Sequence, residues 1–497
     1  MDQSISTLGE LKKSGWASRS IKEEMRENLI KKMHKNEVLF PGILGYEKTV
    51  IPQIQNAILA KHDLILLGLR GQAKTRILRM LVQFLDEYIP VVEGSEVHDD
   101  PLHPISKYAR DLIGEKGDDT PVSWLHREHR YGEKLATPDT TVADLIGDLD
   151  PIKAASLKLA LASEEVINYG LIPRTNRGIF VINELPDLQP RIQVALLNIM
   201  QERDIQIRGF NIRIPLDVSM AFSANPEDYT NRGNIITPLK DRIDSQIITH
   251  YPREMDVAIK ITEQEAWAER GGEIQVKIPP SYKKILEYVA FEARNSEYVD
   301  QKSGVSTRMT ITAMEQVISA AERRSVFNGE KKTTLRVTDL YAMVPAITGK
   351  LELVYEGEQE GAVNVAKHII GKAINKTFRD YFPDPQQRKS DETEDEYHEV
   401  LDWFAGGNML EIPELISNDE YKKRLKQISG LKKITQKYAK DEPDDLFAMM
   451  DLVIEGLHQH SKIGKDDIDD TRTYTDMLGS MLGGMTGFDD DDFTDEI

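Results

Sequence analysis

Apolar residues along this chain fall into two patterns, and the change from one pattern to the other divides it into regions. Short continuous apolar runs, typical of buried strands, lie at 64–67 and 179–182, and two further strands are predicted at 218–224 and 246–250. Segments with apolar residues at every third or fourth position lie between these runs, and they predict helices near 50–58, 76–85 and 188–202. Alternation of buried strands and helices predicts an α/β core built on a parallel sheet.

The flanking regions are helical in pattern. Residues 1–39 predict a helical N-terminal segment, the α/β domain covers 40–252, and four apolar stripes predict an α-helical domain at 253–382. Beyond it we expect a charged linker at 383–399, a helical region at 400–460 and an acidic, disordered tail at 461–497. The tail is also a candidate docking segment for a basic partner.

Composition limits the classes of function. The 497 residues include 63 Lys and Arg against 83 Asp and Glu, giving a net charge of −20, and 40% are hydrophobic. These values indicate a soluble globular protein that does not bind nucleic acid, which would require clustered positive charge. The absence of cysteine excludes disulfides and thiolate sites. Neither a signal peptide nor an 18-residue apolar run occurs, so we expect no membrane span and a cytoplasmic location.

The stretch that follows the first predicted strand is the main candidate for chemistry. Gly68-Leu-Arg-Gly71-Gln72-Ala73-Lys74-Thr75 joins that strand to a helix. Strand, glycine-bearing loop, Lys-Thr and helix are the parts of a phosphate-binding loop, in which backbone N–H groups and the lysine face phosphates and the hydroxyl ligates Mg²⁺. Ala73 stands where the pattern has glycine, and we expect it to keep a negative φ because a methyl group disfavours the left-handed region.

Two later strands end in polar residues that would complete such a site. The run at 179–182 leads into Asn183-Glu184, where an Asp for the Mg²⁺ shell and a Glu that polarises water are usual. The strand at 218–224 ends in Asn225, which can orient that water. Arg242 either reaches the nucleotide of a neighbouring subunit or forms a salt bridge with Asp241 or Asp244.

In this order the motifs resemble those of the AAA+ ATPases, and more narrowly the MoxR and magnesium-chelatase I-subunit branch, in which Ala before the Lys-Thr is normal. The resemblance covers roughly residues 40–350. Its further parts are a helix-2 insertion at 141–150 and 170–178, a β-hairpin at 205–214, a sensor 1 segment at 223–227, an arginine-finger segment at 239–243 and a sensor 2 arginine at 308. It implies a P-loop core, a parallel sheet with helices on both faces, followed by an α-helical lid and a helical, partly disordered extension.

The resemblance also implies roles for single residues and the cofactors ATP and Mg²⁺. Lys74 would bind the β/γ-phosphates within the loop, Thr75 would hold Mg²⁺, Glu184 would activate water and Asn225 would position it. Arg308 would contact the γ-phosphate within the chain. An arginine of the next subunit, either Arg242 or Arg232, would act in trans, which requires a closed ring, by analogy a hexamer. The further nucleotide-binding positions are Gly68, Gly71, Gln72, Ala73 and Asn183.

Two functions follow from these expectations. The first is an ATP-hydrolysing, chaperone-like ring that remodels a partner, such as a von Willebrand factor A-domain protein or metal-insertion machinery. The second is a scaffold that binds ATP and barely hydrolyses it, because Asn183 replaces the acidic Mg²⁺ partner. An activator of the enhancer-binding type would need a Gly-Ala-Phe-Thr-Gly-Ala loop and a basic DNA-binding helix pair, and neither occurs.

Overall fold

A computed structural model describes residues 3–158, 163–207, 213–225, 234–385, 396–468 and 470–477. The chain divides between Tyr251 and Pro252 into two compact units.

The first unit is built on a parallel five-stranded sheet. Its strands are β1 (Leu64–Leu67), β4 (Tyr131–Leu135), β7 (Gly178–Asn183), β10 (Val218–Ala224) and β11 (Ser245–Ile248). They lie in the order β11-β1-β10-β7-β4, and every neighbouring pair is parallel. The four predicted strands are confirmed. The fifth, β4, lies in a stretch for which no strand was predicted.

Smaller antiparallel pairs surround this sheet. They are β2 (Tyr88–Val92) with β3 (Val122–His126), β5 (Gly147–Leu149) with β6 (Ile167–Tyr169), and β8 (Asp204–Gln206) with β9 (Arg213–Pro215). The last pair forms the predicted hairpin, whose residues 208–212 lie outside the described part of the chain.

The helices of this unit cover both faces of the sheet. They are α1 (Leu8–Lys13), α2 (Ile21–His34), α3 (Val50–Leu59), α4 (Lys74–Met80), α5 (Lys107–Lys116), α6 (Val142–Leu145), α7 (Pro151–Leu157), α8 (Leu171–Arg174), α9 (Pro190–Gln201) and Thr237–Arg242. Side chains of a strand point alternately to opposite faces. Accordingly, Leu64 and Leu66 join a core with α2, α3 and α4, and Ile65 joins a second core with α9.

The N-terminal helices are part of this unit. The Ser20 side chain and Glu23 form a capping box that begins α2. Two buried ion pairs then fix the helix: Lys22 Nζ lies 2.8 Å from Asp63 Oδ1, and Glu24 pairs with Arg130. Burial raises the pKa of Asp63, while Lys22 acts in the opposite direction. The segment 1–39, predicted as separate, is therefore anchored in the α/β core.

The second unit consists mostly of helices. These are Met255–Glu265, Pro280–Asn295, Arg308–Asn328, Val337–Leu340, Val344–Thr348, Tyr355–Glu360, Ala362–Tyr381, His398–Ala405, Asn418–Lys426, Leu431–Tyr438 and Leu446–Gln459. Its strands are β12 (Gln275–Lys277) parallel to β13 (Lys332–Thr334), and an antiparallel sheet of β14 (Leu410–Pro413), β16 (Thr471–Thr475) and β15 (Gly464–Ile468). No helix in the described part of the chain is both long and apolar enough to cross a membrane.

The C-terminal boundaries differ from those predicted. The lid helices and residues 400–460 share one hydrophobic core, and strand β14 lies within the stretch predicted to be helical. The tail predicted from 461 begins with the paired strands β15 and β16, because the fully buried Tyr474 joins that core and its hydroxyl donates to Glu455 at 2.5 Å. Residues 386–395 of the predicted linker and 478–497 of the tail lie outside the described residues.

A buried acid makes the second unit sensitive to pH. Glu287 is only 4% exposed, and burial raises its pKa from 4.5 to about 7, although Thr262 and Thr310 hydrogen-bond to its carboxylate. Between those values the unfolded chain loses the proton and the folded unit keeps it, so stability falls as pH rises through this window. Glu287→Gln is expected to stabilise the unit by about 3 kcal/mol at pH 8 and by little at pH 4.5.

Urea denaturation at the two pH values measures this difference. The control is Glu297→Gln, which changes an exposed carboxylate just after the helix Pro280–Asn295. Equal pH dependence of stability in the native chain and in Glu287→Gln would contradict the assignment.

Candidate active site

The predicted phosphate-binding loop lies where an interior strand of the sheet, β1, meets a helix. Strand β1 ends at Leu67, α4 begins at Lys74, and the six residues between them form the loop. The loop follows the carboxyl end of a strand that is hydrogen-bonded on both sides, to β10 and to β11. A rigid strand and the first turn of a helix therefore fix both ends of the loop.

The backbone at Ala73 does not have the expected conformation. Ala73 has φ 57° and ψ 16°, in the left-handed region, so the prediction of a negative φ is wrong. The chain must turn from the loop into α4 at this residue. The geometry of that turn therefore fixes φ, regardless of which side chain the residue carries. An alanine held there raises the energy of the folded state by roughly 1 kcal/mol or more relative to glycine.

Ala73→Gly is therefore expected to stabilise the first unit by about 0.5–1 kcal/mol, since relief of strain exceeds the added entropy of the unfolded chain. Urea denaturation measures the change. Ala195→Gly is the matched control, because Ala195 lies within α9 with ordinary helical geometry and the same substitution there destabilises. Destabilisation by both substitutions would show that Ala73 is not strained.

Aromatic and hydroxyl side chains from outside the loop hold its backbone. The Tyr46 hydroxyl shares its one proton between two carbonyl oxygens, that of His250 at 2.7 Å and that of Gln72 at 3.1 Å. Burial raises the pKa of Tyr46 to about 12, so the hydroxyl stays protonated at neutral pH. Thr249 Oγ1 donates to Gln72 Oε1 at 2.5 Å, and the Tyr251 hydroxyl donates to the Arg70 carbonyl at 2.9 Å. None of these three supports was predicted from the sequence.

Neighbouring side chains lie very close to the backbone of Gly68. A Cβ at this position would lie 1.9 Å from Thr249 Oγ1 and 2.2 Å from Gln72 Oε1, far inside van der Waals contact. The hydrogen bond between Thr249 and Gln72 thus closes over the start of the loop, and any side chain at position 68 would displace it.

Lys74 places its ammonium group within the loop. The residue is 7% exposed, and its Nζ donates to the carbonyl oxygens of Gly68 and Leu69. Lysine carries three donors and no acceptor, so this group suits an anion bound in the loop. Thr75 follows Lys74 in the first turn of α4.

The ends of β7 and β10 carry the predicted polar residues side by side. The Glu184 backbone N–H donates to Ser223 Oγ at 3.3 Å, and Ser223 Oγ donates to Asn183 Oδ1 at 2.9 Å. Glu184 has φ 53°, a left-handed conformation that turns the chain sharply after β7. Asn225 follows β10, and its Oδ1 is buried without a hydrogen-bond donor among the described residues. An acceptor in that condition suits a bound water or ligand.

A carboxylate that the sequence did not predict lies beside Asn183. Glu133 on β4 accepts a hydrogen bond from Asn183 Nδ2 at 2.7 Å and pairs with Arg79 of α4, with Nε–Oε2 at 2.8 Å and Nη2–Oε1 at 3.0 Å. The Tyr131 hydroxyl also donates to it. Burial opposes ionisation of Glu133, but hydrogen bonds from Arg79, Tyr131 and Asn183 hold its pKa below the usual value.

The predicted arginines fall in different places. Arg242 donates to Gln201 Oε1, at 2.6 and 2.9 Å, and to the Pro238 carbonyl at 2.8 Å, in place of the alternative salt bridge to Asp241 or Asp244. Arg308 is exposed in the second unit, where it begins the helix Arg308–Asn328. Arg232 lies outside the described residues.

Comparison with known proteins points to one family. The model of the Sigma-54 interaction domain matches residues 160–248. The magnesium-chelatase 38 kDa subunit of Cereibacter sphaeroides is 25% identical over 233 residues, which are 46% of this chain and 64% of the relative. The same subunit of Rhodobacter capsulatus is 27% identical over 226 residues, 45% of this chain and 59% of the relative. The matched region therefore spans less than two thirds of these relatives' length.

Solved structures show more distant likeness. A model of the complex between subunits BchI and BchD of magnesium chelatase is 18% identical with a TM-score of 0.32, covering 65% of this chain and 98% of the other. NtrX from Brucella abortus in complex with ATP is 13% identical with a TM-score of 0.34, covering 59% of this chain and 52% of the other. Likeness of this strength carries no argument about the chemistry of this chain.

Proposed function

On the premise that the chain is an AAA+ protein of the branch that contains the MoxR proteins and the magnesium-chelatase I subunit, we propose that it binds and hydrolyses ATP with Mg²⁺. The proposed role of the hydrolysis cycle is to remodel or activate a partner protein. The loop 68–75 is the proposed nucleotide site. The alternative, a scaffold that binds ATP with very slow turnover, is favoured by one observation, the neutral Asn183 at the end of β7.

One arrangement carries the proposal. Strands β1, β10 and β7 are adjacent and parallel, so their carboxyl ends meet at one edge of the sheet. The chain carries a polar residue after each of these ends: Lys74, Asn225 and Glu184. Their position supports a common site for an ammonium group, an amide that orients water and a carboxylate. In open α/β sheets, ligands bind at this edge.

The residues fit a nucleotide with its metal. Lys74 is a buried donor for phosphate oxygens, Thr75 offers a hydroxyl ligand, and Asn183 offers only an amide oxygen that Ser223 already engages. Bound Mg²⁺ would neutralise negative charge on the phosphates. Glu184 would accept the proton of the attacking water, and the open acceptor of Asn225 would orient that water.

Completion of the site by other residues is also proposed. Arg308 would contact the γ-phosphate from the lid of the same chain, and Arg242 or Arg232 would reach the nucleotide of a neighbouring copy in a ring, by family analogy a hexamer. Arginine is suited to this role because its planar fork binds phosphate oxygens in pairs and stays charged. The proposed client is a protein with a von Willebrand factor A-type domain or metal-insertion machinery, contacted by residues 400–460 or the acidic tail.

Steady-state turnover of Mg²⁺-ATP by the full chain tests the proposal, with nucleotide affinity measured in parallel by a fluorescent ATP analogue. Binding with turnover supports the remodelling ATPase. Binding without turnover supports the scaffold and overturns the hydrolytic reading. Failure to bind ATP at millimolar concentration overturns both.

A further inference from the structure

We propose that a cationic cavity in the second unit binds the acidic segment 488–497 of the same chain. The cavity measures about 650 Å³ and is lined by the strand pair β12 and β13, the helix Asn418–Lys426 and the start of the helix Leu446–Gln459. The acidic segment, Phe488-Asp-Asp-Asp-Asp-Phe-Thr-Asp-Glu-Ile497, lies outside the described residues and carries six acidic side chains and no basic one.

The wall of the cavity is positively charged, although the net charge of the chain is −20. The basic residues that line it are Lys277, Lys332, Arg336 and Lys422, and the only carboxylate among its lining residues is that of Asp445. Asp445 is already paired with Lys277, whose Nζ lies 2.6 Å from Oδ1. Lys332 and Lys422 are exposed, and neither has a carboxylate partner in the part of the chain that the structure describes. The cavity therefore has an excess of positive charge that an acidic ligand can neutralise.

Arg336 contributes a buried donor that lacks an acceptor. The residue is 1% exposed, and its guanidinium donates to the Ile416 carbonyl at 2.8 Å and to Asn418 Oδ1 at 2.7 Å. Its Nε has no hydrogen-bond partner among the described residues. Burial, and after it the charge of Arg324, lowers the pKa of Arg336 to about 10, so the guanidinium is still charged at neutral pH. A buried, charged donor with an open N–H suits a carboxylate ligand.

An aromatic ring at the cavity suits the phenylalanines of the acidic segment. Phe447 lines the cavity and is only partly buried. The ammonium groups of Lys422 and Lys426 lie 5.6 and 5.4 Å from the centroid of its ring. Phe488 or Phe493 can pack against this ring, and the neighbouring aspartates then lie beside the two lysines.

The acidic segment is close enough along the chain to reach the cavity. The Tyr474 hydroxyl donates to Glu455, and the hydroxyl of Tyr421, which lines the cavity, donates to Asp451. Glu455 lies one helical turn after Asp451, a distance of about 6 Å. Residues 475–488, which connect β16 to the acidic segment, can span about 43 Å when extended. The segment can therefore bind within its own chain.

Lysine acetylation of the full chain, read by mass spectrometry, tests this placement. The native chain is compared with a variant that carries D489N, D490N, D491N and D492N, which leaves every described residue unchanged. At the millimolar effective concentration of a tethered segment, a site with a dissociation constant of about 0.1 mM is about nine-tenths occupied. We therefore expect Lys332 and Lys422 to react about tenfold more slowly in the native chain than in the variant.

Lys423 is the internal control, because it is exposed beside Lys422, pairs with Glu420 and does not line the cavity. Its acetylation rate should be the same in both chains. In a second pair of variants, Lys332→Glu should remove the protection of Lys422, and Lys423→Glu should leave it intact.

Equal acetylation rates of Lys422 in the native chain and the tail variant would overturn the proposal. Protection that disappears when the native chain is diluted from micromolar to nanomolar concentration would also overturn it, because the occupant would then be a second copy or a soluble partner. Neither readout uses ATP, so these outcomes leave the proposed function standing, and a chain that fails to bind nucleotide leaves the cavity proposal standing.

Discussion

Glu184→Gln is expected to lower ATP turnover by about 100-fold or more while ATP still binds, because general base catalysis contributes factors of this size. Glutamine keeps the shape of the side chain and cannot accept the proton of the attacking water. The backbone around Glu184 depends on its φ of 53° and on its N–H bonded to Ser223, and the substitution changes neither. Phosphate release measures turnover, and a fluorescent analogue measures affinity.

The matched control is Glu202→Gln, which removes an exposed carboxylate after α9. Its turnover should equal that of the native chain. Undiminished turnover in Glu184→Gln would show that another group activates the water. A parallel loss of ATP affinity would show that Glu184 acts in binding instead of proton transfer.

Glu24→Ala is expected to destabilise the first unit by about 3–5 kcal/mol, because it leaves a buried arginine without its carboxylate. Arg130 is 1% exposed and pairs with both oxygens of Glu24, at 2.7 and 2.6 Å. Glu24 also accepts from the Asp86 backbone N–H at 2.6 Å, and Arg130 Nε donates to the Arg177 carbonyl. Urea denaturation followed by tryptophan fluorescence measures the change.

The neighbouring residue provides the control. Glu23 pairs with Lys61 at 2.9 Å and completes the capping box of α2, but both side chains of the ion pair are more than 40% exposed, so Glu23→Ala should change stability by only about 1–2 kcal/mol. The double variant Glu24→Leu/Arg130→Met should recover most of the lost stability, since it removes both charges. Equal effects of Glu23→Ala and Glu24→Ala would contradict the structural role of the buried pair.

The elements that bear the predicted chemistry were those with the strongest local pattern. Apolar runs ending in Gly68, Asn183 or Asn225 identify central strands, because a strand buried on both faces has no polar alternation. The backbone of Ala73 could not be predicted in this way. Its φ is fixed by the path that the whole loop takes into α4, and the identity of a single residue does not reveal that constraint.

Glu133 and the C-terminal strands were missed for a different reason. Strand β4 lies at the edge of the sheet and is only half-buried, so its sequence Tyr131-Gly-Glu-Lys-Leu135 lacks an apolar run. In β16 the signal was the alternation of threonines with Arg472 and Tyr474, which the acidic composition around it obscured. In both places long-range pairing decides the structure, and local sequence carries little of that information.

The anchoring of α2 has a consequence for synthesis on the ribosome. The Ile21 backbone N–H donates to Asp217, and β1 takes its place between β10 and β11, so the early chain meets its partners only about 150–200 residues later. At about 5–20 residues per second, this delay is on the order of ten to forty seconds. During that time α2, with Ile21, Met25 and Leu29, has its nearby partners α3 and α4 but lacks the later strands of the sheet. The sheet of this unit is therefore completed only after its last strand, β11, has been synthesised.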